Sequence, residues 1–217
     1  MTTGAAPADR TSDGQPERPV AVLWDADGVL QRPHGDWAAH LRGIGRSGFL
    51  EAIIAAERPT LRGDGDFREV LAQVLADRGR PASDVPRALL AWERIDVDPA
   101  ALEVVAAVRA NGVACHLATN QMNHRRDVMR GLGYDELFDE LYFSCELGEA
   151  KPDPAYFELI LDRLGLTPDQ VAFVDDNAPN VETARALGIR SIHHDPTSGA
   201  RTLRAEMRDL GVLPPLP

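Results

Sequence analysis

The chain has 217 residues, 44% of them hydrophobic, enough for one ordinary core or one core with a small appended domain. Its 34 acidic against 23 basic residues give a formal net charge of -11, which argues against nucleic acid or an anionic membrane surface as partner, because phosphate backbones need a basic stripe. The two cysteines, Cys115 and Cys145, each lie inside an apolar segment, so neither a disulfide framework nor a zinc spacing is present and a reducing cytoplasm is expected.

Residues 1–19 lack the basic start and apolar centre of a signal peptide, and no apolar run approaches the roughly 20 residues of a membrane span. They read as a disordered tail. "VAVLW" (20–24) is a short apolar run with the look of a strand buried on both faces. Residues 32–98 then hold helical patterns, "GFLEAIIAAE" (48–57), "DFREVLAQVLADRG" (66–79) and "VPRALLAWERI" (85–95), with no good strand among them. A helix follows at 99–112, with Pro99 in its first turn and Asn111-Gly112 to stop it. From there strands at 113–118, 141–145, 171–175 and 190–194 alternate with helices at 122–133, 154–165 and 180–188.

That alternation predicts βαβ units: an α/β fold with a doubly wound, Rossmann-like parallel sheet and helices on both faces. The first connection breaks the rhythm. Trp24 to Val113 spans about 90 residues, where a whole βαβ unit needs about 30. A helical cap at 32–98 is therefore expected as an insertion into a core made of 20–31 and 99–213.

In open parallel sheets ligands sit beyond the carboxyl ends of the strands. Asp25 and Asp27 fall where the first strand gives out, and three further loops end on the same edge, carrying Thr119-Asn120, Lys151-Pro152 and Asp175-Asp176-Asn177. Two carboxylates about 4 Å apart repel by roughly 4 kcal/mol at an effective dielectric near 20, so protons or a cation must intervene. An all-oxygen site suits a hard divalent ion, and Mg²⁺ prefers one or two carboxylates with waters and substrate phosphate. Thr119 offers a hydroxyl to phosphate, and the backbone amides after Asn120 open a helix that favours anions.

The motifs "DADGVL" (25–30), "ATN" (118–120), "KPDP" (151–154) and "VDDN" (174–177), in that order, resemble the four motifs of the haloacid dehalogenase-like superfamily over about residues 20–194. "LGEAKPDPAYFELIL" and "FVDDNAPNVETARALGI" are similar to the subfamily whose helical cap follows the first motif. The resemblance implies a phosphotransferase in which Asp25 is the nucleophile, forming an aspartyl-phosphate. Asp27 would protonate the leaving alcohol and then deprotonate water. Thr119 and Lys151 would orient the phosphoryl group and the nucleophile, with Asn120 at the phosphate. Mg²⁺ would be held by Asp25, the backbone carbonyl of Asp27 and Asp176, with Asp175 adjacent or acting through water, and Asn177 would orient from behind. Gly28 would let the chain turn beside the metal.

Asp27 favours phosphate over carbon-halogen chemistry, since dehalogenases of this superfamily generally lack an acid two positions after the first Asp. A response-regulator receiver is a poor fit, because there the acidic pair comes first and here the paired acids of "VDDN" come last. A phosphomutase would share the core residues, and a noncatalytic regulator of the same fold remains as an alternative. The expected partner is a small-molecule phosphate ester, with sugar phosphates first, and the expected state a monomer or homodimer. His34 and Arg125 are the substrate-contact candidates put forward, with Gln31, Arg32, Trp37, Arg58, Arg62 and Arg126 also near the mouth or in the cap. Cys115 is expected in the core, and His193-His194 is expected to serve the fold.

Overall fold

The structure is a computed structural model and describes residues 18–45 and 47–215, so the expected tail lies outside the described residues up to residue 17. Strand β1 (Ala21–Trp24) opens the core. Strand β2 (Gln31–Pro33) leads into helices α1 (Trp37–Gly45), α2 (Phe49–Glu57), α3 (Phe67–Ala76) and α4 (Val85–Glu93), and β3 (Ile95–Val97) leads back. Next come α5 (Pro99–Ala110), β4 (Ala114–Thr119), α6 (Asn123–Arg130), the single turn α7 (Tyr134–Leu137) and β5 (Glu140–Phe143). The chain closes with the single turn α8 (Ser144–Leu147), then α9 (Pro154–Leu164), β6 (Val171–Asp175), α10 (Ala178–Ala186), β7 (Arg190–His193) and α11 (Gly199–Asp209).

The five long-range strands form one parallel sheet in the order β5-β4-β1-β6-β7. Side chains alternate along β1 with the period of a pleated strand. Val22 and Trp24 face Val104, Val105 and Val108 of α5 and Leu203 and Met207 of α11. Ala21 and Leu23 face Phe157 and Ile160 of α9 and Val181 and Ala184 of α10. Both faces are thus covered, which is why these strands read as unbroken apolar runs. Asp98 caps α5 by accepting from the amides of Ala100 and Ala101, and Asp153 caps α9 through Ala155, each followed by a proline at the first helical position. Helix α11 has no counterpart among the elements read from sequence. It buries Leu203 and Met207, four positions apart on one face of an otherwise polar segment.

Helices α1 to α4 close around an apolar cluster of their own, including Leu41, Phe49, Ile53, Phe67, Leu71, Leu75, Leu89 and Trp92. Full burial of each such side chain stabilises by roughly 1.5–3 kcal/mol, and Phe67 meets Trp92 edge-on with ring centroids 4.7 Å apart. The inserted segment is not wholly helical, which corrects the sequence reading. β2 and β3 pair antiparallel, Gln31 with Val97, Arg32 with Asp96 and Pro33 with Ile95, as a two-stranded ribbon between the two bodies. Three residues with a proline at one end are too short to display the strand period.

Polar contacts tie the inserted helices to the sheet domain. Asn123, first residue of α6, accepts from the amide of Phe67 at 3.0 Å and donates to Asp66 at 2.7 Å. Asp66 in turn caps α3 through the amides of Arg68 and Glu69. Arg62 bridges to Glu149 and Asp153, and His124 lies 3.1 Å from Glu93.

Candidate active site

The register sets the ends of three strands level. Trp24 pairs with both Leu117 and Val174, so Asp25 emerges beside Ala118 and Asp175, with Thr119 one step further along. Their loops enclose a cavity of 380 Å³ lined by Asp25, Asp27, Gly28, Arg32, Thr119, Asn120, Lys151, Asp175, Asp176, Asn177 and Asn180, among others. The four sequence motifs therefore meet at one place.

Lys151 is fully engaged. Its Nζ donates to Asp25 Oδ1 at 2.8 Å, to Asp175 Oδ2 at 2.6 Å and to the carbonyl of Ala118 at 2.8 Å. An ammonium has three protons, and all three are used. Lys151 thus fixes the Asp25 carboxylate and offsets buried charge, and the direct phosphate contact expected of it has no free proton behind it. Burial acts to lower its pKa, but Asp25 and Asp175 outweigh burial and hold it above the ordinary lysine value. For Asp25 burial prevails: its carboxyl is pushed up to about 7, Asp175 adding to the rise and Lys151 opposing it.

Asn120 also differs from its expected phosphate role. Its amide donates to the carbonyl of Lys151 at 2.7 Å and accepts from the amide of Lys151 at 2.9 Å. The side chain pins the lysine loop to the end of β4. Thr119, by contrast, lines the cavity with a hydroxyl that accepts from Gln121 at 3.2 Å and gives its proton to no described residue.

Oxygens of Asp25, Asp175 and Asp176 converge within 4.8 Å of one another. Asp175 is completely buried and held from three sides, Oδ2 by Lys151 and Asn180 and Oδ1 by the amide of Asn177. The carboxyl of Asp176 is half-buried and raised, first by burial and then by repulsion from Asp175. Gly28 has φ +81°, and a Cβ built there would stand 2.2 Å from Asp176 Oδ2. Three carboxylates beside a glycine that clears space for one of them, with oxygen donors only, fit a hard divalent cation such as Mg²⁺.

The carboxylate of Asp27 lies outside that triad; the expected ligand set drew only on its backbone carbonyl. It turns aside to accept from Arg125 Nη2 at 2.6 Å and Gln31 Nε2 at 3.1 Å on Oδ1, and from Gln121 Nε2 at 2.9 Å on Oδ2. Arg125 is buried in this pair, 5% exposed, and is absent from the cavity lining. His34 is also elsewhere: it is exposed, its Nδ1 lies 2.8 Å from Asp96 Oδ1 on the ribbon, and it lines a separate cleft with Trp37 and His40. Arg62 and Arg126 are taken by acidic neighbours, whereas Arg32 lines the cavity. Among the residues missed, Asn180 sits in the first turn of α10 five positions after Asp175, a spacing that places it back over the strand end. Gln31, already named near the mouth, bonds Asp27 four residues before it, whereas Gln121 carries no signal of its bond to Asp27, 94 residues away. Cys115 is core, its thiol pushed up to about 12 by burial, and His194 bonds Glu206 at 2.6 Å within the fold.

Comparisons with known proteins agree with this arrangement. A family model for haloacid dehalogenase-like hydrolases matches residues 19–188. "Acyl-CoA dehydrogenase family member 10" of Mus musculus is 31% identical over 189 residues, covering 86% of this chain and 17% of that protein. "Phosphorylated carbohydrates phosphatase" of Thermotoga maritima is 28% identical over 117 residues, covering 52% of this chain and 54% of its own length. The chain thus spans between a sixth and about half of these two curated relatives. Among solved structures, a HAD family enzyme of Bacteroides thetaiotaomicron in a magnesium complex superposes with a TM-score of 0.77 at 20% identity, over 86% of this chain and 98% of that one. Among the described residues no helix is long and apolar enough to cross a membrane. With four motifs assembled at one strand edge and a family model spanning four of the sheet's five strands and the inserted helices, the chain belongs to the haloacid dehalogenase-like hydrolases.

Proposed function

We propose that the protein is a Mg²⁺-dependent phosphatase that hydrolyses a small-molecule phosphate monoester through an aspartyl-phosphate on Asp25. The observation that carries this reading is Asp27, a carboxylate two residues past the nucleophile, at the cavity wall and held by three donors. A displacement at carbon has no use for an acid there, whereas an alkoxide leaving group needs a proton.

In the first half-reaction Asp25 forms a bond to phosphorus as the bond to the ester oxygen breaks, and the proton of Asp27 passes to that oxygen. In the second, Asp27 takes a proton from water as the water attacks phosphorus, and Asp25 leaves as a carboxylate with inorganic phosphate released. Lys151 keeps Asp25 aligned throughout, and the Thr119 hydroxyl is free to donate to a phosphoryl oxygen. Asp25 and Asp176 would hold Mg²⁺, with Asp175 behind them. When bound, that ion would supply positive charge that favours ionised Asp25 and neutralises phosphoryl oxygens.

Sugar phosphates head the substrate list, a choice supported by the name of the Thermotoga relative. A cytoplasmic setting belongs to the same reading and is supported by two free thiols. The test is phosphate release from a panel of sugar, nucleotide and small-acid phosphates with Mg²⁺, beside Asp25→Asn and an EDTA control. Cleavage of one ester, abolished by both controls, is the expected result. Phosphate that moves between positions on a sugar without release would replace hydrolase by mutase, and silence in both assays would favour a noncatalytic regulator.

A further inference from the structure

The sequence offered Arg125 as a substrate contact, but the structure puts its guanidinium behind Asp27 instead. We propose that Arg125 is a positioning residue for the acid-base step: together with Gln31 it fixes Oδ1 of Asp27 and leaves Oδ2 as the oxygen that gives and takes the proton. The inference rests on the phosphatase reading above and assigns, within it, the reacting atom and the group that selects it.

A carboxylate has about four lone-pair positions, two on each oxygen. On Oδ1 both are taken, by Arg125 Nη2 at 2.6 Å and Gln31 Nε2 at 3.1 Å. On Oδ2 one is taken, by Gln121 Nε2 at 2.9 Å. The remaining position on Oδ2 is therefore the one left open for proton transfer, on a residue whose side chain is 35% exposed and lines the cavity. A proton on Oδ1 would have to displace an arginine.

Gln31 is oriented in turn. It is 3% exposed, and its Oε1 accepts from the Tyr134 hydroxyl at 2.7 Å, which leaves its amide to donate to Asp27 Oδ1 at 3.1 Å and to Met129 Sδ at 3.7 Å. Arg125 is held by α6, whose first turn is anchored when the Arg125 amide donates to Met122 Sδ at 3.1 Å. Its Nε is buried with no hydrogen-bond partner among the described residues. A buried guanidinium with one donor unsatisfied is a poor device for stability, since desolvation offsets most of the Coulomb gain. It is a good device for alignment, because a planar cation at 2.6 Å leaves Asp27 few rotamers.

The experiment compares kcat/KM for 4-nitrophenyl phosphate and phenyl phosphate with Mg²⁺, in wild type, Asp27→Asn, Arg125→Met, Arg125→Lys and the double variant Asp27→Asn/Arg125→Met. Phenoxide is the poorer leaving group and depends more on a proton donor. Arg125→Met should lose about 10- to 100-fold more on phenyl phosphate than on 4-nitrophenyl phosphate, within the range of general acid catalysis, while KM stays within about threefold. Arg125→Lys should recover part of that differential loss, and the double variant should be no worse than Asp27→Asn alone. Equal losses on both esters, a rise in KM at unchanged kcat, or additive losses in the double variant would each overturn the proposal. Should Arg125→Met fail to fold, Gln31→Met, which removes the other donor to Oδ1, must show the same differential in smaller degree. Wild type inert toward both esters would instead sink the phosphatase reading itself.

Discussion

Gly28 sits at a left-handed φ of +81°, and its missing Cβ is the space that Asp176 occupies. Alanine there would be strained and would push the Asp176 carboxylate off its two neighbours. Mg²⁺ should raise the unfolding temperature of the wild type, because an ion that binds only the folded state stabilises it by mass action. In Gly28→Ala that rise should largely vanish while the protein still melts cooperatively, as read by calorimetry with and without the ion. Glu57, at the end of α2, accepts from Trp92 Nε1 at 3.1 Å, and its carboxyl is pushed up to about 7, by burial first and by Asp27, against the Trp92 bond and Arg125. A raised carboxyl pKa means the folded state binds the proton more tightly than the unfolded chain does. Stability contributed by this group is therefore full below the ordinary glutamate value, falls as pH rises to about 7 and stays low above it. Glu57→Gln keeps an acceptor for Trp92 and removes the titration, so its stability relative to wild type should improve from pH 5 to pH 8 in urea unfolding. The meeting of Asp25, Asp27, Lys151 and Asp176 at one cavity was legible because each stands in a short string at a strand end. The partners of Arg125 and Asn120 were not, because Asp27 is 98 residues from the first and the Lys151 backbone 31 from the second.

The central strands β1 and β6, buried on both faces, declare themselves as apolar runs, and all five strands fell close to where the sequence placed them, the edge strands β5 and β7 on mixed strings. The ribbon of β2 and β3 gives each strand only three residues, too few to show a period although Ile95 packs on the core, and α7 and α8 are single turns below the length at which periodicity exists. The insertion was legible by arithmetic alone, as chain length in excess of a crossover. What fastens it to the sheet domain was not: across the N-termini of α3 and α6, Asn123 donates to Asp66 and accepts from the amide of Phe67, and nothing in either string names the other. Asp66 has two tasks, capping α3 through Oδ1 and meeting Asn123 through Oδ2. Asp66→Ala should therefore cost about 1 kcal/mol as a lost cap and something more for the lost tie. Asn123→Ala, which spares the cap, should cost less while loosening the same junction. Urea unfolding of the two variants and their double checks the order.

At the scale of the whole molecule the two bodies are less separate than their two apolar clusters suggest. The loop that carries Thr119 continues for three residues and delivers Met122 into the cluster of the inserted helices, where it is completely buried among Phe67, Trp92 and their neighbours. The phosphate end of the cavity and the interior of the cap thus share one short piece of chain. Any swing that opened the cap would have to draw this thioether out of its apolar socket or drag the Thr119 loop along with it. Met122 is in that sense a gauge of closure. Its sulfur, shielded from peroxide while the cap is shut, becomes oxidisable only as fast as the molecule opens, and because that same sulfur accepts from the Arg125 amide, the damage would be felt at the Arg125–Asp27 pair.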